Sequence, residues 1–312
     1  MTDIIYHEIF LEHDTGDHPE CAARLTSIVG HLMRTGVWEA VRVRPPRLAS
    51  IQDLLTVHTE PYVFEVERAA KEGGRYLDPD TVVSPRSFEV ARYAAGGVLS
   101  AVDAVMLGEA PNVLCLVRPP GHHAGPDRAM GFCLFNNVAI AARYVQQKHQ
   151  QKNVLIVDWD VHHGNGTQEV FYRDPTVFYF SLHRRPFYPG TGSSSETGEG
   201  PGRGTTLNRP LGMKTDRGTY LKTFASGLAQ AVSGFRPDFV LISAGFDSAG
   251  DDPIGGLALR PEDFGTLTES VMAVADEHCR GRLVSVLEGG YNLSTLGPAV
   301  EQHLLGLMRA RG

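Results

Sequence analysis

Five short apolar segments, each followed directly by a polar loop that contains glycine or histidine, recur along this chain. The segments are 113–117, 154–157, 177–180, 239–242 and 283–287. They have the length of strands and are rich in branched residues, and most of the intervening stretches have a helical pattern. Strands that alternate with helices predict an α/β fold, in which a mainly parallel sheet is covered by helices on both faces.

The polar loops that follow these segments are predicted to meet. In sheets of this kind ligands bind outside the carboxyl ends of the strands, which is where all five loops begin. The sequence therefore predicts one crevice lined by loops from distant parts of the chain. Segment 190–204, rich in Gly, Ser and Glu, has no helix or strand pattern, and such a loop in a compact domain is usually functional or mobile.

Composition limits the class of protein. The 312 residues contain no Pro/Ser-rich linker, so we expect a single domain over 1–312. The net charge of −7 does not favour nucleic-acid binding, and no apolar run reaches the length of a membrane span. The first residues lack the features of a signal peptide, and the four cysteines have no metal-type spacing. They are interpreted as buried thiols, which indicates a cytoplasmic protein.

The first third of the chain predicts a strand at 4–6 and several helices. Helical patterns cover 19–34, 51–57, 61–72 and 86–107. Arg24 lies on the first of these helices, where the pattern alone favours a solvated cation.

Asp160 and His162 follow the 154–157 segment and are two residues apart. In an extended segment such side chains point the same way, and together they supply half of a tetrahedral zinc site. Asp247, after segment 239–242, could supply a third ligand and leave one position open, as in catalytic zinc sites. Each has an alternative interpretation: a polar loop for the Asp-x-His pair, and a helix N-cap for Asp247.

The tandem His122-His123 follows another strand end, in a segment rich in Gly and Pro. Two imidazoles can divide proton transfer, one accepting a proton from water and one donating to a leaving group. Asp158 and Asn165 are available to orient them. A carboxylate raises the basicity of an imidazole whereas an amide only orients it, so we expect the two histidines to differ in proton affinity.

Tyr291 follows Gly289-Gly290, a pair that allows a sharp backbone turn. A phenol at this position could donate a hydrogen bond to an oxyanion. The alternative is a tyrosine that only packs against its loop.

Six longer motifs carry a family resemblance: RPPGHHAG, MGFCLFNN, DWDVHHGNGTQ, SLHRRPFYPGTG, SAGFDSAGDDPIGG and LEGGYN. With these motifs the chain resembles the histone deacetylase superfamily, and it is most similar to class II-type and related bacterial deacetylases. The resemblance covers nearly the whole chain and implies a single-domain arginase-deacetylase fold.

The resemblance also implies roles for the residues above. One Zn²⁺ per chain would be bound by Asp160, His162 and Asp247. His123 would be the general base and His122 an electrostatic or acid partner, while Tyr291 would polarise the substrate carbonyl. Asp158 would orient His122, and Asn165 would orient His123. At the position of Asn165, class I-type members carry Asp.

The resemblance also implies which residues bind the substrate and which bind a second ion. Phe132 and Tyr188 would form the walls of an acyl-lysine tunnel, with Tyr188 replacing the usual Phe. The Gly131 carbonyl would accept the substrate N–H, Ile254 would lie at the mouth, and Arg24 would line an internal acetate channel. A structural K⁺ would be bound by the Ser181 hydroxyl and by backbone carbonyls, an oxygen-only set that suits a hard cation. These carbonyls belong to Asp158, Asp160, His162 and Leu182.

The implied reaction is zinc-dependent hydrolysis of an acyl-lysine in a peptide or protein, or of a small acylated amine. An acetylpolyamine amidohydrolase with the same mechanism is one alternative. Another is a binuclear manganese ureohydrolase of the same fold, but this needs further metal-binding residues, and Asn165 is a poor bridging ligand. The third is a binding module without activity, against which the intact set of site residues argues. The oligomeric state does not follow from the sequence.

Overall fold

The computed structural model describes residues 1–309. Its strands are β1 Asp3–Ile5, β2 Arg42–Arg44, β3 Arg75–Tyr76, β4 Val82–Val83, β5 Asn112–Cys115, β6 Val154–Asp158, β7 Val177–Arg184, β8 Thr206–Leu211, β9 Phe239–Ala244 and β10 Leu283–Leu287. Eight of them form a central sheet in which every neighbouring pair is parallel, with the order β2-β1-β5-β10-β9-β6-β7-β8. A separate antiparallel pair joins β3 to β4.

Helices cover both faces of the sheet, as predicted. The helices are α1 Ala23–Thr35, α2 Ile51–Leu54, α3 Glu60–Lys71, α4 Ser87–Met106, α5 Asn137–His149, α6 Asn165–Phe171, α7 Arg217–Ser233, α8 Pro261–Cys279 and α9 Leu296–Arg309. Helix α4 packs on α5, β5 and β10, whereas α8 packs on α9, α7 and β9, and α1 packs on α9. None of the helices in the described part of the chain is long and apolar enough to cross a membrane.

The four central strands explain why the apolar segments were visible in the sequence. Every residue of β5, β6, β9 and β10 is buried. Strands covered on both faces require nearly continuous apolar sequence, because no side chain can point to water. These strands lie side by side in the sheet, so the loops at their carboxyl ends share one edge.

Several boundaries differ from the sequence predictions. The first helix begins at Ala23 rather than 19, because Glu20 turns inward to bind the buried Arg118. Helix α2 ends at Leu54 and not at 57. Strand β7 continues to Arg184, so residues 181–183, predicted to lie in a loop, belong to the sheet.

The edge strands β2 and β8 were not predicted, since their sequences RVR and TLNRPL lack an apolar run. Three of the four cysteines are buried thiols, as predicted, whereas Cys21 is partly exposed.

Candidate active site

The carboxyl ends of the four central strands form the site. The segment after β5 carries His122 and His123, and β6 ends at Asp158 just before Asp160 and His162. Asp247 follows β9, and Tyr291 follows β10. The structure thus brings the predicted residues into one crevice, although the first of them, His122, and the last, Tyr291, are more than a hundred positions apart in the sequence.

Asp160, His162 and Asp247 are buried and form a metal-binding group, with one donor atom from each lying within 4.8 Å of the others. His162 Nδ1 lies 3.1 Å from Asp160 Oδ1 and 3.1 Å from Asp247 Oδ2. Although it is this close, Asp247 Oδ2 forms no hydrogen bond with any described residue, so this buried oxygen is free to bind an ion. Two carboxylates and one imidazole fit Zn²⁺ and leave a coordination position open.

Backbone amides hold the two carboxylates in place. Val161 N donates to Asp247 Oδ1 at 2.9 Å, and Gly289 N donates to Asp160 Oδ2 at 2.8 Å. Asp247 lies in a turn after β9 and the next helix begins only at Pro261, so its alternative interpretation as a helix N-cap is wrong.

The electrostatics of the group favour a cation. Burial raises the pKa of Asp247 to about 7, and the nearby Asp160 carboxylate adds to the effect. Burial alone would lower the pKa of His162, but the neighbouring carboxylates of Asp160 and Asp247 raise it to about 9. A bound divalent cation would neutralise this concentration of negative charge.

His122 and His123 pack with their ring centroids 4.1 Å apart and have different partners. His122 Nδ1 lies 3.1 Å from Asp158 Oδ2, and His123 Nδ1 lies 2.7 Å from Asn165 Oδ1. Because an amide oxygen only accepts, His123 Nδ1 carries the proton and its Nε2 keeps a free lone pair.

The two imidazoles differ in proton affinity in the expected sense. Burial lowers the pKa of His122, but Asp160, Asp158 and Glu288 outweigh this and raise it to about 10. Burial, His122 and His162 hold the pKa of His123 well below its usual value. His122 is therefore suited to donate a proton and His123 to accept one.

Asp158 is held by a residue that the sequence did not reveal. The buried Tyr179 hydroxyl donates to Asp158 Oδ2 at 2.8 Å. Gly164 lies against the same pair, since a Cβ there would be 2.3 Å from Asp158 Oδ2 and 2.5 Å from the Tyr179 hydroxyl. The glycine after the two histidines of the DWDVHHGNGTQ motif is thus explained by lack of space.

A cavity of about 210 Å³ leads to these groups. Gly131 and Phe132 in its wall both have positive φ, and the Phe132 N–H donates to the buried Thr81 hydroxyl at 3.0 Å. A Cβ on Gly131 would be 2.4 Å from the His123 ring, so only glycine fits. The cavity is lined by Asp80, His123, Gly131, Phe132, His162, Phe187, Tyr188, Ile254 and Tyr291.

Two of these lining residues, Asp80 and Phe187, were missed in the sequence. The Phe187 ring stacks on His162 at a centroid distance of 5.0 Å. Tyr188 lies further out, 38% exposed, with its ring edge against His123 at 5.3 Å. Phe187 therefore packs against the metal-binding group, and Tyr188 lies at the mouth.

Tyr291 reaches the cavity from the loop after β10. Asp252 Oδ2 accepts a hydrogen bond from Tyr291 N at 2.7 Å and so fixes this loop. Burial raises the pKa of the Tyr291 hydroxyl well above 10, although Arg24 opposes the shift. The hydroxyl therefore keeps its proton at neutral pH and can act as a donor.

Arg24 is fully buried, so its interpretation as a solvated cation is wrong. It donates to the carbonyls of Gly290 at 2.6 Å and Glu288 at 2.5 Å, and to Glu20 Oε1 at 3.1 Å. Glu20 also accepts from the buried Arg118 at 2.5 and 2.7 Å. This Arg–Glu–Arg cluster was not predicted from the sequence, because Arg118 lies 98 positions from Glu20 and only the fold brings the two together.

Of the residues predicted to bind K⁺, Asp158, Ser181 and Leu182 lie on the adjoining strands β6 and β7. Asp160 and His162 lie in the segment after β6. Ser181 pairs with Asp158 in the register of β6 and β7, and Leu182 follows it. The Ser181 hydroxyl is 2.9 Å from His183 Nδ1.

Segment 190–204 is tied to the site by side-chain hydrogen bonds. His163 Nδ1 is 2.7 Å from the Thr191 hydroxyl, and His183 Nε2 is 2.9 Å from the Gly192 carbonyl. Glu196 accepts from Gln168 Nε2 at 2.6 Å and from Gly192 N at 3.1 Å. The segment lacks strands, as expected, but it is held by a polar network and contains the short 3₁₀ turn Gly200–Gly202.

Comparisons with known proteins show the family of this chain. A family model described as the histone deacetylase domain matches residues 18–307. The "Probable deacetylase" of Archaeoglobus fulgidus is 40% identical over 311 residues, 99% of this chain and 86% of the relative. The "Histone deacetylase-like amidohydrolase" of Pseudomonas aeruginosa is 39% identical over 298 residues, 94% of this chain and 78% of the relative.

Solved structures give the same assignment. The crystal structure of the HDA15 HD domain superposes with a TM-score of 0.91 at 39% identity, and covers 99% of this chain and 90% of that chain. The chain belongs to the histone deacetylase family, which makes it a deacetylase or amidohydrolase. The predicted arginase-deacetylase fold is confirmed.

Proposed function

We propose that this protein hydrolyses N-acetyl-lysine, or another N-acyl-lysine amide, to free lysine and a carboxylate, with one Zn²⁺ held by Asp160, His162 and Asp247. The observation that carries the proposal is the convergence of three groups at one cavity. These are the metal-binding group, an imidazole with a free Nε2, and a tyrosine hydroxyl kept protonated by burial. Amide hydrolysis uses all three.

The chain's own groups divide the proton transfers. When bound, Zn²⁺ polarises the amide carbonyl and lowers the pKa of water. His123 Nε2 accepts the proton of the attacking water, since Asn165 holds the other ring nitrogen as a donor. The Tyr291 hydroxyl donates to the developing oxyanion. His122, kept protonated by its carboxylate neighbours, donates to the departing amine.

The cavity supplies the binding groups for an acyl-lysine side chain. Phe132 and Tyr188 contact its aliphatic part, and the Gly131 carbonyl accepts its N–H. That carbonyl already accepts a weak hydrogen bond from Cys133 Sγ at 3.3 Å, which leaves one lone pair for substrate. Arg24 lies beneath Tyr291, with its guanidinium 5.0 Å from the ring centroid, where it can attract the product carboxylate.

A structural K⁺ is part of the proposal. The Ser181 hydroxyl and the carbonyls of Asp158, Asp160, His162 and Leu182 would hold it, and oxygen ligands suit such a cation. In support, Ser181 lies beside Asp158 on the neighbouring strand.

The residue at the mouth bears on the amine that is preferred. A polyamine carries additional ammonium groups, and a carboxylate at the mouth attracts them by about 1–4 kcal/mol, depending on exposure. Ile254 lines the cavity and is neutral, which favours a peptide, whereas Asp80 in the same lining is acidic and favours a polyamine. We give more weight to Ile254, because the resemblance to the family implies that it matches a position where polyamine-selective members can carry Glu.

We therefore expect a higher kcat/KM for an acetyl-lysine peptide than for N-acetylspermidine, and a gain of polyamine activity in Ile254→Glu. Ile254→Gln, which adds length without charge, is the matched control. If the wild type hydrolyses acetylspermidine tenfold more efficiently than every acyl-lysine peptide tested, the polyamine assignment should replace ours.

The experiment that tests the function is a screen of the zinc-loaded protein against acetyl-lysine peptides, longer acyl-lysines and acetylpolyamines. We expect hydrolysis of at least one acyl-lysine peptide, and its loss in His162→Ala. An intact fold that hydrolyses none of the amides would favour a binding module. Two tightly bound manganese ions together with urea release from a guanidino substrate would favour a ureohydrolase.

The cytoplasm is our proposed compartment. Three free cysteines are buried, which suits a reducing environment. Relatives in rice and Arabidopsis are named chloroplastic, so location varies among related proteins.

A further inference from the structure

Glu288 is a fully buried carboxylate beside the site that transfers no proton in the reaction outlined above, where its charge only adds to the raised pKa of His122. It is the first residue after β10. Its Oε2 accepts hydrogen bonds from the backbone N–H of Gly121 at 2.7 Å and of His122 at 3.1 Å. Its Oε1 accepts from the Ser243 hydroxyl on β9 at 3.1 Å.

These contacts connect the two halves of the site. The segment that carries the paired histidines has no regular secondary structure between Val117 and Gly125, so its position depends on such contacts. The residue after Glu288 holds the metal-binding group, because Gly289 N donates to Asp160 Oδ2 at 2.8 Å. The end of β10 therefore holds two parts of the site. The Glu288 side chain binds the histidine segment, and the backbone amide of Gly289 binds Asp160, one of the proposed metal ligands.

We propose that Glu288 is a positioning residue that sets the place of the His122–His123 pair relative to Asp160, His162 and Asp247. This role rests on the proposed hydrolysis, since it matters for the reaction only if the histidines transfer protons there. Catalytic groups displaced by about 1 Å lose roughly a hundredfold in rate. The buried N–H donors of Gly121 and His122 would lose their acceptor if the carboxylate were removed.

The three hydrogen bonds of Glu288 depend on the length of its side chain more than on its charge. Asp160 and Asp158 contribute more than Glu288 to the raised pKa of His122 and remain in every variant. Both backbone donors use one oxygen, and the second oxygen faces a hydroxyl, which can donate or accept. A glutamine can therefore reproduce all three bonds, with its oxygen on the two N–H groups and its NH₂ donating to Ser243. An aspartate keeps the charge but is one methylene too short to reach the histidine segment from the same backbone.

The test compares Glu288→Gln, which has reach without charge, with Glu288→Asp, which has charge without reach, and with Glu288→Ala. We expect kcat on an acetyl-lysine peptide within about threefold of wild type for Gln, and lower by at least tenfold for Asp and Ala. KM and zinc content should be nearly unchanged. Asp3→Ala is the matched control, since it removes a fully buried carboxylate at the amino end of β1, away from the site. It should reduce thermal stability without reducing kcat.

Hydrogen exchange tests the positioning role without requiring catalytic activity. Hydrogen exchange of a peptide spanning 118–125 should be as slow in Glu288→Gln as in wild type, and faster in Glu288→Asp, which remains informative if the Ala variant does not fold. A wild type inactive on all acyl amides would overturn the proposed function, and the exchange data would still decide whether Glu288 holds the histidine segment. Equal loss of kcat in Gln and Ala, with the Asp variant active, would show that charge matters and overturn the positioning role. Unchanged exchange in all three variants would overturn it as well.

Discussion

His122 and His123 are neighbours in the chain, yet Nδ1 of one faces a carboxylate and Nδ1 of the other faces an amide. Their chemistry thus depends on residues more than thirty positions away. Tyr291 likewise depends on Asp252, which fixes its backbone. At the scale of single residues, the site consists of ordinary side chains whose proton affinities are set by one or two contacts.

Tyr291→Phe should lower kcat by about a hundredfold or more, because it removes one donor to the oxyanion. Zinc content and thermal stability should stay close to those of the wild type. Tyr144→Phe is the matched control, since it removes a hydroxyl that donates to Asp103 on α4, away from the cavity. A Tyr291→Phe variant with nearly normal kcat would remove this residue from the mechanism.

The sequence showed those residues that have a characteristic spacing or a characteristic neighbour. Asp160 with His162, the tandem histidines and the tyrosine after two glycines belong to this group. Arg118, Asp80 and Glu288 do not, because the residues that each contacts in the site are distant in the sequence and are brought close only by the fold. The resemblance to a known family supplied roles for Arg24 and Ile254 that spacing alone would not have given.

At the scale of elements, His303 joins three of them. It lies on α9, with Nδ1 2.5 Å from the Thr268 hydroxyl on α8 and Nε2 2.8 Å from the Ser285 hydroxyl on β10. Its burial lowers the pKa to about 3. A histidine with a lowered pKa stays neutral in the folded protein but becomes protonated in the unfolded chain below about pH 6.5. Its contribution to stability is therefore complete above pH 6.5 and is lost as the pH falls towards 3.

As the pH falls from 6.5 to 5, protonation of His303 in the unfolded chain should reduce the free energy of unfolding by about 1.5 kcal/mol. His303→Asn removes the titrating group, so its stability, although lower at pH 7.5, should depend less steeply on pH. Urea unfolding of the metal-free proteins at several pH values gives both slopes. Equal slopes for wild type and variant would show that His303 does not titrate in this way.

Strands that are buried on both faces were predicted from the sequence, whereas edge strands were not. The central strands were found because both of their faces are covered, so their sequences are apolar throughout. Edge strand β2 was missed because it has the sequence RVR, in which both arginines bind the buried Asp3. Its position is set by ion pairs with another strand, and a single-sequence pattern does not show such pairing.

At the scale of the whole molecule, the metal should bind only the folded chain, because its three proposed ligands come from the ends of two different strands. We expect one Zn²⁺ per chain by elemental analysis, and its loss in Asp247→Ala. Removal by a chelator should lower the thermal midpoint, because a ligand present at a hundred times its Kd stabilises the fold by about 2.7 kcal/mol.

Asp251→Ala serves as the control for metal binding, since it removes an exposed acid from the same loop and should leave the zinc content unchanged. Two tightly bound transition metals in the wild type would contradict the mononuclear site.

Strand β10 lies between β5 and β9, at the middle of the sheet. On one side of it are β2, β1 and β5, all from residues 3–115, and on the other are β9, β6, β7 and β8, all from residues 154–244. Each group is continuous in sequence and can pair its own strands, but the two groups have no strand contact with each other until residues 283–287 are inserted. We therefore expect the chain to fold as two separate half-sheets, with the entry of β10 as the late step that joins them and completes the crevice between them.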